Sequence, residues 1–310
     1  MDLTDRCRAR VGSVIRSKYR LDVFLGAGGM AAVYAATHRN GDRVAIKLLH
    51  SEFSKNDTVC GRFLREGYAA NRVGHPGAVR VIDDDVDDVG IPYLVMELLQ
   101  GETLDARWER APERRLDARE VLDHAERLLD VLSAAHDRGV IHRDIKPDNL
   151  FVTTTGDLKV MDFGIARLLE GASGTKTGDV LGTPAFMAPE QAAGRIRDVD
   201  GRADVWSVGA LMFALLSGRH VHEAKTPHEQ LIYAATQPAP SLRTAAPDVH
   251  AGVAEVVDVA LRFDREVRWP SARLMQQGLR VVAQTMSRAS SPPTTTLIIG
   301  SGEQAGRGRA

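Results

Sequence analysis

A chain of 310 residues, 44% apolar and 26% charged, can bury one large core or two lobes that face each other across a cleft. Its formal net charge of −1 excludes a global basic field for gathering nucleic acid or anionic lipid, so neither is expected as a partner. The longest apolar stretch, residues 208–216, is far too short to span a membrane.

The first residues carry Arg6, Arg8 and Arg10 with no apolar region behind them, which is not the pattern of a secretory signal. Cys7 and Cys60 alone make no disulfide framework and suit a reducing cytoplasm, the expected location. Residues 1–18 are polar and basic and read as a loosely held arm. From Tyr19 the pattern is that of strands: an apolar run to Leu25, a glycine cluster, a short strand at 33–35 and another at 43–49. In the last of these, alternation puts Val44, Ile46 and Leu48 on one face and Ala45, Lys47 and Leu49 on the other.

A helix is expected over 61–73, stopped by Gly74-His75-Pro76. Its apolar face comprises Phe63, Ala70 and Val73, and Glu66 lies on that same face. An inward carboxylate is costly without a cation, and Lys47 is the obvious one. Strands at 79–82 and 92–97 flank the acidic run 83–88, read as a solvated turn. Beyond Gly101 the chain becomes mainly helical. Val121, Leu122, Ala125, Leu128, Leu129, Leu132 and Ala135 recur at helical spacing, and this helix stops at Gly139. Asp204 opens a run that is apolar nearly all round and ends at Gly218, the signature of a helix in the middle of a large lobe. Helices are expected at 253–263 and 271–286, and residues 286–310, rich in Ser, Thr, Pro and Gly, read as a disordered tail, in which Thr294, Thr295 and Thr296 are either phosphosites or, the safer reading, part of a passive polar stretch.

Chemistry concentrates in His142-Arg143-Asp144-Ile145-Lys146-Pro147-Asp148-Asn149 and in Asp162-Phe163-Gly164. These two loops offer a proton acceptor (Asp144), a cation (Lys146), a neutral oxygen ligand (Asn149) and a second carboxylate (Asp162). Those are parts for phosphoryl transfer: a group to aim a hydroxyl, a charge to neutralise the migrating phosphoryl, and oxygen ligands for Mg2+. The segment Leu25-Gly26-Ala27-Gly28-Gly29-Met30-Ala31-Ala32-Val33 can lay its backbone over phosphates, although glycine-rich hairpins are common. A lone strand lysine such as Lys47 is ordinarily a solvent-facing charge, and the inward Glu66 argues otherwise. His222 and His228 stand too far apart, with Pro227 between them, for a zinc helix, and Cys60 reads as an inert buried thiol.

Taken in order, these motifs resemble those of the bacterial eukaryotic-like (Hanks-type) serine/threonine protein kinases, over about residues 19–285. The resemblance implies an α+β, two-lobed fold: a β-rich small lobe at 19–97, a hinge at 97–100 and a helical large lobe at 101–285. It implies ATP and Mg2+ as cofactors and protein serine or threonine hydroxyls as acceptors. By residue, Leu25, Gly26, Ala27, Gly28, Gly29, Met30, Ala31 and Val33 would cover the nucleotide, with Ala31 where the family has its third glycine. Ala45, Met96 as gatekeeper, Glu97, Leu99 and Leu150 would also bind the nucleotide, with the hinge residues after Met96 receiving the adenine. Lys47, oriented by Glu66, would hold the phosphates, Asp144 would aim the hydroxyl, Lys146 would neutralise charge, and Asn149 and Asp162 would bind the metal. A lysine at 146 marks serine/threonine specificity, and Thr183 would help exclude tyrosine.

Ala188-Pro189-Glu190 closes the activation segment, and the resemblance pairs Glu190 with Arg268 and makes Asp204 a tether for the catalytic loop. Arg143 would meet a phosphorylated residue of that segment, with Thr175 and Thr177 as the activating sites, unless these are ordinary loop threonines. A homodimer for autophosphorylation in trans is a further expectation. Competing readings are a nucleotide-binding pseudokinase scaffold, against which every required side chain is present, and a small-molecule kinase, which the long activation segment and Lys146-Pro147 disfavour. Many bacterial relatives continue into a membrane helix and sensor domain, so a chain ending here is expected to be cytosolic or a fragment.

Overall fold

The structure, a computed structural model, describes residues 2–163 and 184–289. It opens with helix α1 (Leu3–Arg8) and strand β1 (Val14–Ile15), followed by β2 (Tyr19–Ala27), β3 (Ala31–His38) and β4 (Arg43–Leu49). Helix α2 (Asp57–Val73) then leads to β5 (Val81–Val86) and β6 (Pro92–Glu97). The strands form one antiparallel sheet in the order β1-β2-β3-β4-β6-β5. Leu21, Tyr34, Ile46, Phe63 and Tyr93 fill the core of this small lobe.

Two expectations fail here. Residues 2–18 are not a loose arm: β1 pairs with β2, Cys7 and Ile15 are buried in the small-lobe core, and the Tyr34 hydroxyl donates to the Cys7 carbonyl at 2.9 Å. Nor is the acidic run a turn throughout. Asp83, Asp84 and Asp85 pair with Val95, Leu94 and Tyr93 as part of β5, at the edge of the sheet, where charged side chains discourage pairing with other chains. The turn itself is organised by buried Asp87, whose carboxylate accepts from Val89 N (3.0 Å) and Ile91 N (2.8 Å) and pairs with Arg10 at 2.9 Å. Helix α2 begins at Asp57 rather than 61 because the Asn56 side chain caps it, accepting from the Thr58 and Val59 amides. It ends as expected at Gly74, whose φ of 58° is left-handed.

The large lobe contributes β7 (Gly101–Thr103), α3 (Leu104–Arg110), α4 (Ala118–His136), β8 (Leu150–Thr153) and β9 (Leu158–Val160), with sheet order β7-β8-β9. Helices α5 (Pro189–Ala192), α6 (Gly201–Ser217), α7 (Pro227–Thr236), α8 (Leu242–Ala245), α9 (Ala251–Ala260) and α10 (Ala272–Ala289) complete it. Every residue of α6 from Ala203 to Leu216 is buried, and α4, α9 and α10 pack around it. The all-round apolar sequence of α6 therefore has its physical counterpart, a helix with no solvent face. Helix α10 runs past 286, so the start of the expected tail is helical, and residues 290–310 lie outside the described residues. The lobes are stitched beside the hinge by Val79 N to Val160 O (3.0 Å) and Val160 N to Gly77 O (2.7 Å). This is the expected α+β, two-lobed architecture.

Candidate active site

A cavity of about 430 Å³ lies between the lobes. Leu25, Gly26, Ala27, Gly28, Val33, Ala45 and Lys47 line it from the small-lobe sheet, and Met96, Glu97, Leu98 and Leu99 line it from the linker. Phe151, Met161, Asp148 and Asp162 face it from the large lobe, while Glu66, Gly67 and Ala70 reach it from α2. The turn between β2 and β3 brings its backbone there, with Gly28 N bonded to Ala31 O at 2.9 Å.

Gly29, Met30 and Ala31 do not line the cavity; Met30 packs on the small-lobe core and Ala31 is buried within β3. Leu150 is also displaced from its expected place. It is wholly buried in the large-lobe core, and its neighbour Phe151 faces the cleft instead. The cause is the period of two in β8, which buries Leu150 and Val152 and turns Phe151 to the other side, toward the cleft.

The catalytic-loop residues converge as a set. Asp204, fully buried at the start of α6, accepts from His142 N (2.9 Å), Arg143 N (2.8 Å) and His136 Nε2 (2.8 Å). Burial opposes its charge, and these donors, His136 first, hold its carboxyl below the usual range. Buried His142 is held below its ordinary pKa by desolvation. Its Nδ1 accepts from Asp144 N (3.2 Å) and its Nε2 donates to Met161 O (2.9 Å), which describes a neutral imidazole with one defined tautomer. The ring also sits 4.6 Å from buried Phe163. Asn149 Nδ2 donates to Asp144 O (2.7 Å) and Oδ2 (3.0 Å), and Lys146 Nζ lies 3.9 Å from the same carboxylate.

Lys47 is brought into the cleft by β4, but its ion pair differs from the expected one. Its Nζ meets Asp162 Oδ1 at 2.5 Å rather than Glu66. Burial pushes the lysine down, yet the Asp162 carboxylate overrides this and holds it above its ordinary value, helped by Glu66 and Asp144 at longer range. Asp162 likewise stays below the carboxylate range because Lys47 outweighs the cost of burial. Glu66 lines the same cavity. Asp162 stands at φ 51°, which turns its carboxylate toward the small lobe, and this places the nearer acid beside the ammonium.

Glu97 does more than line the cleft. Both of its carboxylate oxygens accept from Lys159 Nζ at 3.0 Å, and Oε1 also accepts from Arg80 N at 2.8 Å. Lys159 was not anticipated, although a lysine flanked by apolar Leu158 and Val160 was the available signal. Arg143 has φ 65° and a buried Nε without a hydrogen-bond partner among the described residues, and burial lowers its pKa. Arg268 forms two 2.8 Å bonds to Glu190 in the core of the large lobe. Gly164, Thr175, Thr177 and Thr183 lie outside the described residues.

Residues 19–279 match the family model described as protein kinase domain. The chain is 38% identical over 282 residues to serine/threonine-protein kinase Pkn1 of Myxococcus xanthus, covering 89% of this chain and 40% of that protein. It is 36% identical over 267 residues to PknA of Mycobacterium tuberculosis, covering 84% of this chain and 60% of the relative. The chain thus spans only about half the length of these curated relatives. Among solved structures, the PknI kinase domain of Mycobacterium tuberculosis superposes with a TM-score of 0.67 at 28% identity, over 87% of this chain and 98% of that one. The apo form of PpkA-294 reaches 0.72 at 22% identity, a likeness of fold alone.

Proposed function

The chain belongs to the protein kinase family, in its bacterial Hanks-type serine/threonine branch, and we propose that it transfers the γ-phosphoryl group of ATP to serine or threonine hydroxyls of proteins. One observation carries the proposal: a small-lobe lysine and a large-lobe aspartate meet at 2.5 Å on the wall of a nucleotide-sized cavity, next to the loop that carries Asp144. In this reading Lys47 holds the phosphates, Asp144 aims the acceptor hydroxyl and takes its proton, and Lys146 neutralises charge developing on the phosphoryl group. Apolar Val33, Ala45, Met96, Leu99 and Phe151 enclose the base.

Asn149 and Asp162 would hold Mg2+. Both are hard oxygen donors, and the Asn149 amide nitrogen is already committed to Asp144, which leaves its oxygen as the free end. When bound, the ion would neutralise charge on the nucleotide's phosphates. With the ion held there, Asp162 would share its charge between the metal and Lys47, and Glu66, which lines the same cavity and already favours the charged lysine, would add to that lysine's hold.

Arg143, with its orphaned Nε, supports activation by phosphorylation at Thr175 or Thr177, because a phosphate would supply the missing acceptor. Autophosphorylation in trans through a homodimer belongs to the same reading. Cys7 and Cys60 are free thiols, in keeping with a reducing cytoplasm, and among the described residues no helix is long and apolar enough to cross a membrane.

The test is phosphate incorporation into a generic basic protein by wild type and by Asp144→Asn. The variant should lose about 100-fold or more of turnover while still binding nucleotide. Equal incorporation by both proteins, or none by wild type, would overturn the proposal. Mass spectrometry after incubation with ATP should find phosphate on Thr175 or Thr177, and phosphate confined to other residues would remove the activation reading.

A further inference from the structure

The peptide bond joining Arg143 to Asp144 is held from both sides, and one hold comes from outside the catalytic loop. Arg143 adopts φ 65°, a left-handed conformation that a residue with a side chain keeps only when its neighbours enforce it. Its N–H donates to Asp204 Oδ1 at 2.8 Å. Its carbonyl accepts from Gln191 Nε2 at 3.1 Å, and the following N–H, that of Asp144, donates to His142 Nδ1 at 3.2 Å. Gln191 lies on α5, directly after Glu190, which is locked onto Arg268. The other end of the Gln191 amide, Oε1, accepts from Ala188 N at 3.4 Å, so the side chain has one orientation.

We infer that Gln191 is a positioning residue for phosphoryl transfer: its amide ties the end of the activation segment to the peptide bond that carries Asp144, and so makes the aim of that carboxylate depend on how α5 is seated. The inference rests on the kinase reading above. Gln191 and Arg143 are both absent from the lining of the cavity, so loss of this tie should lower turnover without loosening nucleotide.

The discriminating substitution is Gln191→Glu in the full chain. A glutamate can still accept from Ala188 N, but when ionised it sets a negative oxygen against the Arg143 carbonyl, and when protonated it can donate there again. With myelin basic protein as acceptor, kcat of Q191E should fall about tenfold or more at high pH. Relative to wild type it should recover as the pH is lowered. Q191M should show a loss of similar size with no such recovery. The affinity of both variants for a fluorescent ATP analogue should stay within about twofold of wild type. A kcat equal to wild type, a Q191E deficit unchanged across pH, or a parallel loss of nucleotide affinity would overturn the inference. If Q191E does not fold, Q191M decides: a kcat loss at constant nucleotide affinity supports the tie, and an unchanged kcat removes it. Absence of transfer by wild type itself would instead sink the kinase reading.

Discussion

Replacing Arg268 by methionine should unseat the large lobe without touching the cleft. The guanidinium is buried and donates two 2.8 Å bonds to Glu190, whose own carboxylate is almost entirely enclosed. It also donates to the carbonyls of Arg262 (2.7 Å), Phe263 (3.0 Å) and Arg202 (3.2 Å) and lies 4.9 Å from the Trp206 ring centroid. Removing one partner of such a pair strands the other charge in the core, a loss of about 3–5 kcal/mol. For a domain of this size each kcal/mol lowers the melting temperature by about 2–4 °C, so Arg268→Met should melt roughly 6–20 °C below wild type. Circular dichroism melts of wild type, R268M, Glu190→Gln and the double variant measure this directly. The double variant should be less destabilised than the sum of the singles, because no charge is then left unpaired. An R268M melt within about 2 °C of wild type, or strict additivity in the cycle, would refute the reasoning.

Deleting residues 2–18 removes buried Cys7 and Ile15 and the acceptor of the Tyr34 hydroxyl, and should cost about 2–5 kcal/mol in urea unfolding; an unchanged midpoint would restore the loose arm. Lys159→Met breaks a partly exposed ion pair and should cost only about 1 kcal/mol of stability. By freeing Glu97 on the cavity wall it should also weaken nucleotide binding about threefold to tenfold, measured by fluorescence titration, and unaltered affinity would contradict this. His124, His142, His220 and His222 are each held below their ordinary 6.5, by burial first of all. The unfolded chain therefore binds more protons than the native one below that value, so their contribution is complete above it and is lost as the pH falls through the window beneath. Melting temperature should accordingly drop between about pH 7.5 and about pH 5.5, and a flat profile would exclude the effect.

Much of the site was legible because its parts are set by short-range rules. Alternation along β4 places Lys47 on a face with Ala45, and both line the cavity. The spacing of Asp144, Asn149 and Asp162 along two loops is a local property, and Asn149 does meet Asp144. The helix stops at Gly74 and Gly218 likewise follow from residues that accept left-handed backbone. The substitution of Phe151 for Leu150 in the cavity wall shows the limit of the same rule. A period of two holds for any strand, but which phase faces the cleft depends on the core beneath β8.

The chain by itself therefore determined the succession of a strand-rich small lobe and a helical large lobe, the chemistry of the two loops and the inward lysine, because backbone periodicity and turn preference act over a few residues. Tertiary structure alone decided that the first strand seals the small-lobe sheet, that Lys47 meets Asp162 before Glu66, and that Lys159 and Gln191 brace the hinge and the catalytic loop. Each of these is a choice among partners distant along the chain, and a charge or amide takes whichever complementary group the packed lobes bring within about 3 Å.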